Sequence, residues 1–569
     1  MMAREQHSVL DPGTLDGAGQ PRPTADTGRS ARLAARLRGR RRWLPPLLVV
    51  VLLAQMAAAM VTTAVQQTPT IDEPVYVATA TDYLREHSLR YNPEHPPLGK
   101  LVIAAGVALA RPHYDTSYHG DQGEVGRHLL YESGNDPWRL MFWARLPVIV
   151  LTLLFGLVTF AFARELMGTA RGLAALALYA CSPDLIAHGS LATLDVPAAG
   201  FLLTSVWLVW RARRRPGRYV PLAGLALGAA LATKMSTLPA VPVLLALTVL
   251  SVGHARGGTR RGRLALGAAH AAGAALVAVA VVWAAYLAVD PRLRFTPADS
   301  VPVVHGVRGH LAELMPFPES YREGMRIQFA MEDYPWQGFL FGRLYTGSLW
   351  YYLPAALLVK TPLGMLALWA AGATAVVAVR RLRPAAPYLL LPTAVLLAAA
   401  MDGSRDFGTR YALFVPMFLA VAAACVPALP WRWAAALTGA LVLFVAVSSL
   451  RTFPYYLPYS NEAFGGPAET RLRLHDSNVD WGQDLGRLAD RLRQRYPGER
   501  IWLVYKGSGV PSYYGIEAAD PRRANARDVH GLLVVSDTSV AKARGGLAEL
   551  IDSSRPIDEV GHSITIYRR

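Results

Sequence analysis

Long apolar stretches recur along this chain and leave it few ways to fold. A helix of ~20 apolar residues crosses a ~30 Å hydrocarbon core, and backbone in lipid must satisfy its own hydrogen bonds. About eleven such stretches are read from the sequence, near residues 43–66, 140–162, 172–187, 196–211, 219–233, 236–253, 264–288, 362–380, 385–400, 411–428 and 432–449. Charged residues make up only 17% of the chain, against about 25% in an average soluble domain. The expected fold is a polytopic α-helical membrane protein with about eleven transmembrane helices. Two further apolar stretches, 96–110 and 347–360, are short or interrupted by proline and read as helices at the membrane interface.

The net charge of +17 would fit a nucleic-acid binder, but its distribution excludes that class. The basic residues gather in short segments between apolar runs: Arg32 to Arg42, Arg164 to Arg171, Arg211 to Arg215, His254 to Arg263 and Arg380 to Arg383. One topology puts all of them on the cytoplasmic side, as the positive-inside rule requires. The other side of the plasma membrane then receives the long loops 67–139 and 289–361, a short turn at 187–195, and everything beyond about Arg451. Residues 1–30 are expected to be a disordered cytoplasmic segment. The apolar stretch from Trp43 to about Val65 reads as a retained anchor rather than a cleaved signal. The domains are then 1–30, a membrane domain over 31–450 and an extracytoplasmic domain over 451–569.

That last domain has the pattern of a small α/β unit. Ala468 to Tyr496 carries helical spacing, and Ile501 to Tyr505, Gly531 to Val535 and Ser563 to Tyr567 are apolar runs bounded by turn signals. It holds no glycine-rich dinucleotide fingerprint and no phosphate-binding loop. The two cysteines, Cys181 and Cys425, lie inside apolar runs and read as small buried hydrophobes.

The chemistry-bearing residues gather at the ends of apolar stretches on the outer side. Asp72 and Glu73 follow the first span, ahead of Pro74. Adjacent helical residues point about 100° apart, so one of the two is expected to dominate, and Asp72 is the candidate base. Glu94 and His95 precede Pro96-Pro97, which starts a helix and sets Lys100 one turn inside it. His188 and Asp195 flank the short outer turn, where Asp195 reads as the helix N-cap. Arg145 and Arg410 are outer arginines near apolar runs, and Trp350, Tyr351 and Tyr352 fit an interfacial aromatic belt. The lysines are the sharper clue. Only five of the 58 basic residues are lysine, yet Lys100, Lys234 and Lys360 all sit at outer ends of apolar segments, against the positive-inside bias. Charges at that depth are functional suspects, and an ammonium is a point-charge partner for phosphate.

An acidic pair in the first outer loop, His95-Pro96-Pro97-Leu98-Gly99-Lys100, Thr193-Leu194-Asp195-Val196-Pro197, and Tyr351-Tyr352-Leu353-Pro354 before Lys360-Thr361-Pro362 form an ordered set. Over roughly residues 43–460 the set resembles the polyprenyl-phosphate-dependent glycosyltransferases of the C-type (GT-C) membrane fold. That family includes the dolichyl-phosphate-mannose–protein mannosyltransferases and the aminoarabinose transferases acting on lipid A. The stretches Tyr459 to Glu462 and Asp476 to Leu485 resemble bacterial members in which the C-terminal domain has no assigned role.

The resemblance implies an enzyme that moves a sugar from a polyprenyl-phosphate donor to an acceptor hydroxyl on protein, glycan or lipid, with inversion. Carried onto this chain, Asp72 would be the base, Glu73 its supporting neighbour, and Asp195 a positioning carboxylate. Lys100, Lys234 and Arg410 would meet the donor phosphate, and the lysine count adds Lys360. Glu94, His95, His188 and Arg145 would position substrate. The chemistry calls for no cofactor and no metal, although Asp72, Glu73 and Asp195 would also suit a divalent cation, as in oligosaccharide-transferring relatives. The alternative is a lipid or sugar transporter, which would place its ionisable groups near the bilayer midplane. A third reading, an envelope scaffold, leaves the outer lysines unexplained.

Overall fold

The computed structural model describes residues 25–255 and 259–569. Residues 1–24, which hold most of the segment expected to be disordered, and 256–258 in the fourth basic loop lie outside the described residues. The described residues up to Leu48 belong to a unit apart from Val49–Arg569, and their backbone is helical.

Among the described residues a helix covers each of the eleven apolar stretches. They are α1 (Ala25–Gln66), α4 (Pro137–Met167), α5 (Thr169–Ala180) with α6 (Pro183–Gly189), α7 (Asp195–Ala212), α8 (Pro216–Thr233), α9 (Ala240–Ala255), α10 (Arg260–Val289), α13 (Leu363–Ala378), α14 (Ala386–Met401), α15 (Phe414–Ala423) and α16 (Ala434–Thr452). Five segments are long and apolar enough to cross a membrane by length and composition: Trp43–Gln66, Pro137–Met167, Arg260–Val289, Arg383–Met401 and Ala434–Thr452. The stretch expected at 172–187 is two helices, because Pro183 cannot continue α5 and starts α6 instead. Small residues let the helices approach closely. At Gly200 of α7, a Cβ would come within 2.1 Å of the Phe155 ring on α4.

Three shorter helices complete this part: α2 (Glu73–Arg85), α3 (Pro97–Ala110) and α12 (Tyr352–Lys360), with α11 (Glu319–Asp333) between α10 and α12. Of the expected aromatic belt, Trp350 and Tyr351 are exposed, but Tyr352 is buried and its hydroxyl accepts a hydrogen bond from Asn478 Nδ2 at 2.9 Å.

Beyond α16 the chain forms a four-stranded sheet ordered β3-β4-β6-β5, from β3 (Ile501–Val504), β4 (Leu532–Ser536), β5 (Arg555–Val560) and β6 (Ile564–Arg568). A two-stranded hairpin, β1 (Gln337–Leu340) with β2 (Arg343–Thr346), lies in the loop before α12. β3 and β4 are parallel, with Ile501 opposite Leu532; β6 is antiparallel to both β4 and β5. One face of the sheet packs on α17 (Leu485–Arg495) through Leu485, Leu488, Ala489 and Leu492. β5 was not legible in the sequence because, as an edge strand, it carries Arg555, Pro556, Asp558 and Glu559 rather than an apolar run. The helix expected over 468–496 forms only at 485–495. Before it, the Asp-, Asn- and Gly-rich segment 476–484 runs as turns, as those residues favour.

Candidate active site

The two adjacent carboxylates of the first loop have opposite surroundings. Glu73 is fully buried and accepts five hydrogen bonds: from Arg145 Nε (2.7 Å) and Nη2 (2.6 Å), the backbone N–H and hydroxyl of Thr70 (2.9 and 3.0 Å), and the N–H of Ala192 (2.8 Å). Arg145 spends its remaining donors on the carbonyls of Ala64, Gln67 and Thr68, at the end of α1. Burial alone would raise the Glu73 carboxyl, but Arg145 and the backbone donors overcome it and hold it below the usual range. Glu73 and Arg145, expected to support the base and position substrate, instead form a saturated brace tying α1, α2, α4 and the turn before α7.

Asp72 keeps 26% of its side chain exposed and pairs with Arg410, Nη1 to Oδ2 at 2.6 Å. Its other oxygen has no hydrogen-bond partner among the described residues. The Arg410 guanidinium lies between two rings, 4.5 Å from Trp481 and 5.0 Å from Tyr411. The ammonium of Lys234 lies over the same Tyr411 ring at 5.3 Å and pairs with Asp195. Asp195 therefore does not cap α7, which begins without a side-chain cap; its carboxylate is committed to Lys234 across the helix junction. His188 packs against Trp481 edge to face, ring centroids 6.0 Å apart, and His95 against Tyr76 at 5.8 Å. Asp72, Arg410, Lys234, Asp195, His188 and His95 are thus brought together from five separate stretches of chain.

The other expected residues are engaged elsewhere. Lys100 is buried and uses its ammonium on Asn92 O (2.7 Å), Asn92 Oδ1 (3.2 Å) and His95 O (2.7 Å). An ammonium has three protons, so none is left for a phosphate. Lys360 is buried as well, donating to the carbonyls of Leu457 (2.5 Å) and Asn478 (2.9 Å) with Asp184 at 3.7 Å. Glu94 accepts from Asn92 and Gln122 within its own loop. Lys100 and Lys360 hold backbone in place, and Glu94 holds two side-chain amides.

Several residues of the cluster carried no signal in the sequence. Arg405 bonds Gln328 and Glu332 of α11, both at 2.7 Å, yet its Nε is buried without a partner among the described residues. Arg410 Nε and the Nδ1 atoms of His95 and His188 are in the same condition. A buried guanidinium N–H without a partner is a ready donor for an oxyanion, since leaving a buried donor unpaired costs ~1–3 kcal/mol. Trp481 comes from the C-terminal domain, where no span or charge pattern points to it. The buried Asp476 pairs with Lys506 at the end of β3; burial would raise its carboxyl, but Lys506 pulls it down to about 2.

Among the described residues no three His, Cys, Asp or Glu gather as metal ligands. Asp72, Glu73 and Asp195 each have a cation of their own and do not share one centre. A cleft of about 800 Å³ lies elsewhere, lined by Trp138, Tyr513, Tyr514, Arg487 and Asp490.

The family model described as dolichyl-phosphate-mannose-protein mannosyltransferase matches residues 49–295 of the chain. Comparison with curated proteins gives no sequence match. Among solved structures the chain is similar to ArnT from Cupriavidus metallidurans in the apo state, at 15% identity, covering 91% of this chain and 97% of that one with a TM-score of 0.47. It is also similar to the protein O-mannosyltransferase Pmt1-Pmt2 complex of S. cerevisiae bound to the sugar donor (18% identity, 43% of this chain, 33% of that one, TM-score 0.34). A third is the oligosaccharyltransferase of Archaeoglobus fulgidus in the apo form (12%, 89% and 73%, TM-score 0.41).

Proposed function

We propose that this protein transfers a sugar from a polyprenyl-phosphate donor to an acceptor hydroxyl at the extracytoplasmic face of the plasma membrane, by one inverting displacement. The hydroxyl oxygen attacks the sugar C1 while the C1–O bond to phosphate breaks. The hydroxyl proton passes to Asp72, and the bonding electrons leave with the phosphate. Asp72 suits the base because one oxygen is fixed by Arg410 and the other meets no hydrogen-bond partner among the described residues. General-base help of this kind contributes ~10²–10⁴ in rate.

Lys234, Arg405 and Arg410 receive the charge that builds on the phosphate. Lys100 and Lys360 are left out of this role because their protons are committed to backbone carbonyls. Asp195 keeps Lys234 in place, and His95 and His188 line the sugar side with ring nitrogens free to bond hydroxyls. The polyprenyl tail stays in the bilayer, so donor and site meet at the membrane boundary. The acceptor is a hydroxyl of a glycan, lipid or protein.

The observation that carries the reading is the partly exposed Asp72 carboxylate paired with Arg410, whose Nε is buried without a partner among the described residues. Purified protein in lipid nanodiscs, given polyprenyl-phosphate sugars and envelope extracts, is expected to release polyprenyl phosphate in step with glycosylated product. Movement of the donor across the bilayer without release would overturn the proposal in favour of a transporter.

A further inference from the structure

One short segment of the C-terminal domain touches both partners of the Asp72–Arg410 pair. On one side, the N–H groups of Thr68 and Ile71 donate to the carbonyls of Gln483 and Trp481, both at 3.0 Å, and Thr68 Oγ1 donates to Gly482 O at 3.1 Å. These bonds fix the strand-like stretch that ends at Asp72. On the other side, the hydroxyl of Ser477 donates to Phe407 O at 2.6 Å, and the N–H of Thr409 donates to Asn478 Oδ1 at 3.1 Å. These fix the loop that ends at Arg410. Gly408, at φ 152°, lets the two chains approach: a Cβ there would come within 2.2 Å of Ser477 Oγ. Between the two sets of bonds, the buried Trp481 lies 4.5 Å from the Arg410 guanidinium.

The segment is itself anchored in the sheet domain. Asp476 pairs with Lys506, the N–H of Asp476 donates to Thr538 Oγ1 at 2.9 Å, and Thr538 returns its N–H to Asp480 Oδ2 at 3.2 Å. Lys506 and Thr538 follow β3 and β4, the parallel pair. Lys360 adds a bond from the membrane domain to Asn478 O.

We infer that the C-terminal domain is a working half of the active site, and that segment 476–484 is a splint setting the position of Arg410 against Asp72, with Trp481 as its positioning residue. This rests on the proposed glycosyl transfer. The Trp481 ring covers the guanidinium while Nη1 donates to Asp72, Nη2 donates to the Tyr411 hydroxyl at 3.2 Å, and Nε is left for the phosphate, so Trp481 restricts how Arg410 can turn. A guanidinium held only by Asp72 and the neighbouring Tyr411, with no second ring, would sample other rotamers, and ~1 Å of misplacement can cost about 10² in rate. An effect on orientation in the transition state lowers kcat and leaves the donor KM nearly unchanged.

The test compares Trp481→Ala, Trp481→Phe and Asn478→Ala in the full chain in nanodiscs. Release of polyprenyl phosphate is measured alongside thermal unfolding. Trp481→Ala is expected to lose about 10–10² in kcat with the donor KM within threefold, while Trp481→Phe, which keeps a ring over Arg410, recovers most of the rate. Asn478→Ala, which frees the loop before Arg410 without touching the ring, is expected to show the same split. Wild-type kcat in both Trp481→Ala and Asn478→Ala would overturn the inference. So would a loss in Trp481→Ala that follows the folded fraction and is not recovered by Phe. Absence of any turnover in the wild-type protein would instead overturn the proposed function.

Discussion

Glu73 and Asp72 are neighbours in sequence and opposites in the fold. Glu73 is enclosed, with five donors and a fully buried arginine; Asp72 has one arginine and a free oxygen. A carboxylate whose acceptor sites are all taken stabilises the fold and has nothing left to offer a substrate. One with an open oxygen beside an under-used guanidinium can exchange partners during a reaction. The same contrast divides the lysines. Lys100 and Lys360 are spent on backbone carbonyls, while Lys234 is held by one carboxylate over a tyrosine ring.

The contrast breaks most sharply at the acidic pair. Asp72→Asn is expected to lower turnover about 10²–10⁴-fold with the melting temperature nearly unchanged, measured by product release and thermal unfolding. Glu73→Gln is expected to do the reverse. It leaves Arg145 buried without its counter-charge, at a cost of about 3–5 kcal/mol, seen as a fall in melting temperature and in folded yield, with turnover per folded molecule kept. An Asp72→Asn protein that is active, or a Glu73→Gln protein that is stable, would reverse the assignment.

The lysines sharpen it further. Lys234→Met should cost about 10²–10³ in kcat by removing a cation from the departing phosphate. Lys100→Met should cost about 1–3 kcal/mol of stability by orphaning the Asn92 and His95 carbonyls, with little change in kcat. Equal effects of the two on kcat would mean that Lys100 turns toward substrate in the working enzyme.

The smallest expected effect is a pH dependence of the splint. Burial raises the Asp480 carboxyl to about 7, against the pull of Lys506. The folded state therefore binds this proton more tightly than the unfolded chain, whose carboxyl titrates near ~3.9. The stability it contributes is full below about pH 4 and is lost as pH rises toward 7. Glu73 and Asp476 are shifted the other way, so their contributions decline only as pH falls below the ordinary carboxylate range. Between pH 5 and 7.5 Asp480 contributes a fall in melting temperature, set against the rise contributed by the buried His475, which burial lowers to about 3, and Asp480→Asn should shift the slope upward by removing that fall. An unchanged slope in the variant would assign it to other buried carboxyls such as Asp406 and Asp537, which burial raises to about 6.

Much of the helical array was legible in the sequence, since apolar length is a local property and each stretch carries its own signal. The break inside one stretch was marked locally by Pro183 but hidden by the apolar run around it, and the polar edge strand β5 was not legible because its pairing depends on what lies beside it. The site was legible only in part. Asp72, Asp195, Lys234, His188, His95 and Arg410 were found as charges at the ends of apolar segments. Arg405 and Trp481 were not, since an arginine in a loop and a tryptophan in a turn look ordinary until chain far away folds against them.

The sequence by itself determined that this chain builds an apolar helical array with acids and lysines at the ends of its helices. Composition and spacing are enough for that, because burial in lipid follows from local hydrophobicity. Only the tertiary structure decided which of those charges remain available. That depends on the count of donors and acceptors each one meets, and the partners come from far along the chain. Arg145 reaches Glu73 across 72 residues, and Arg410 reaches Asp72 across 338. A buried charge is compensated by whatever the fold brings to it, and no spacing within one segment records that.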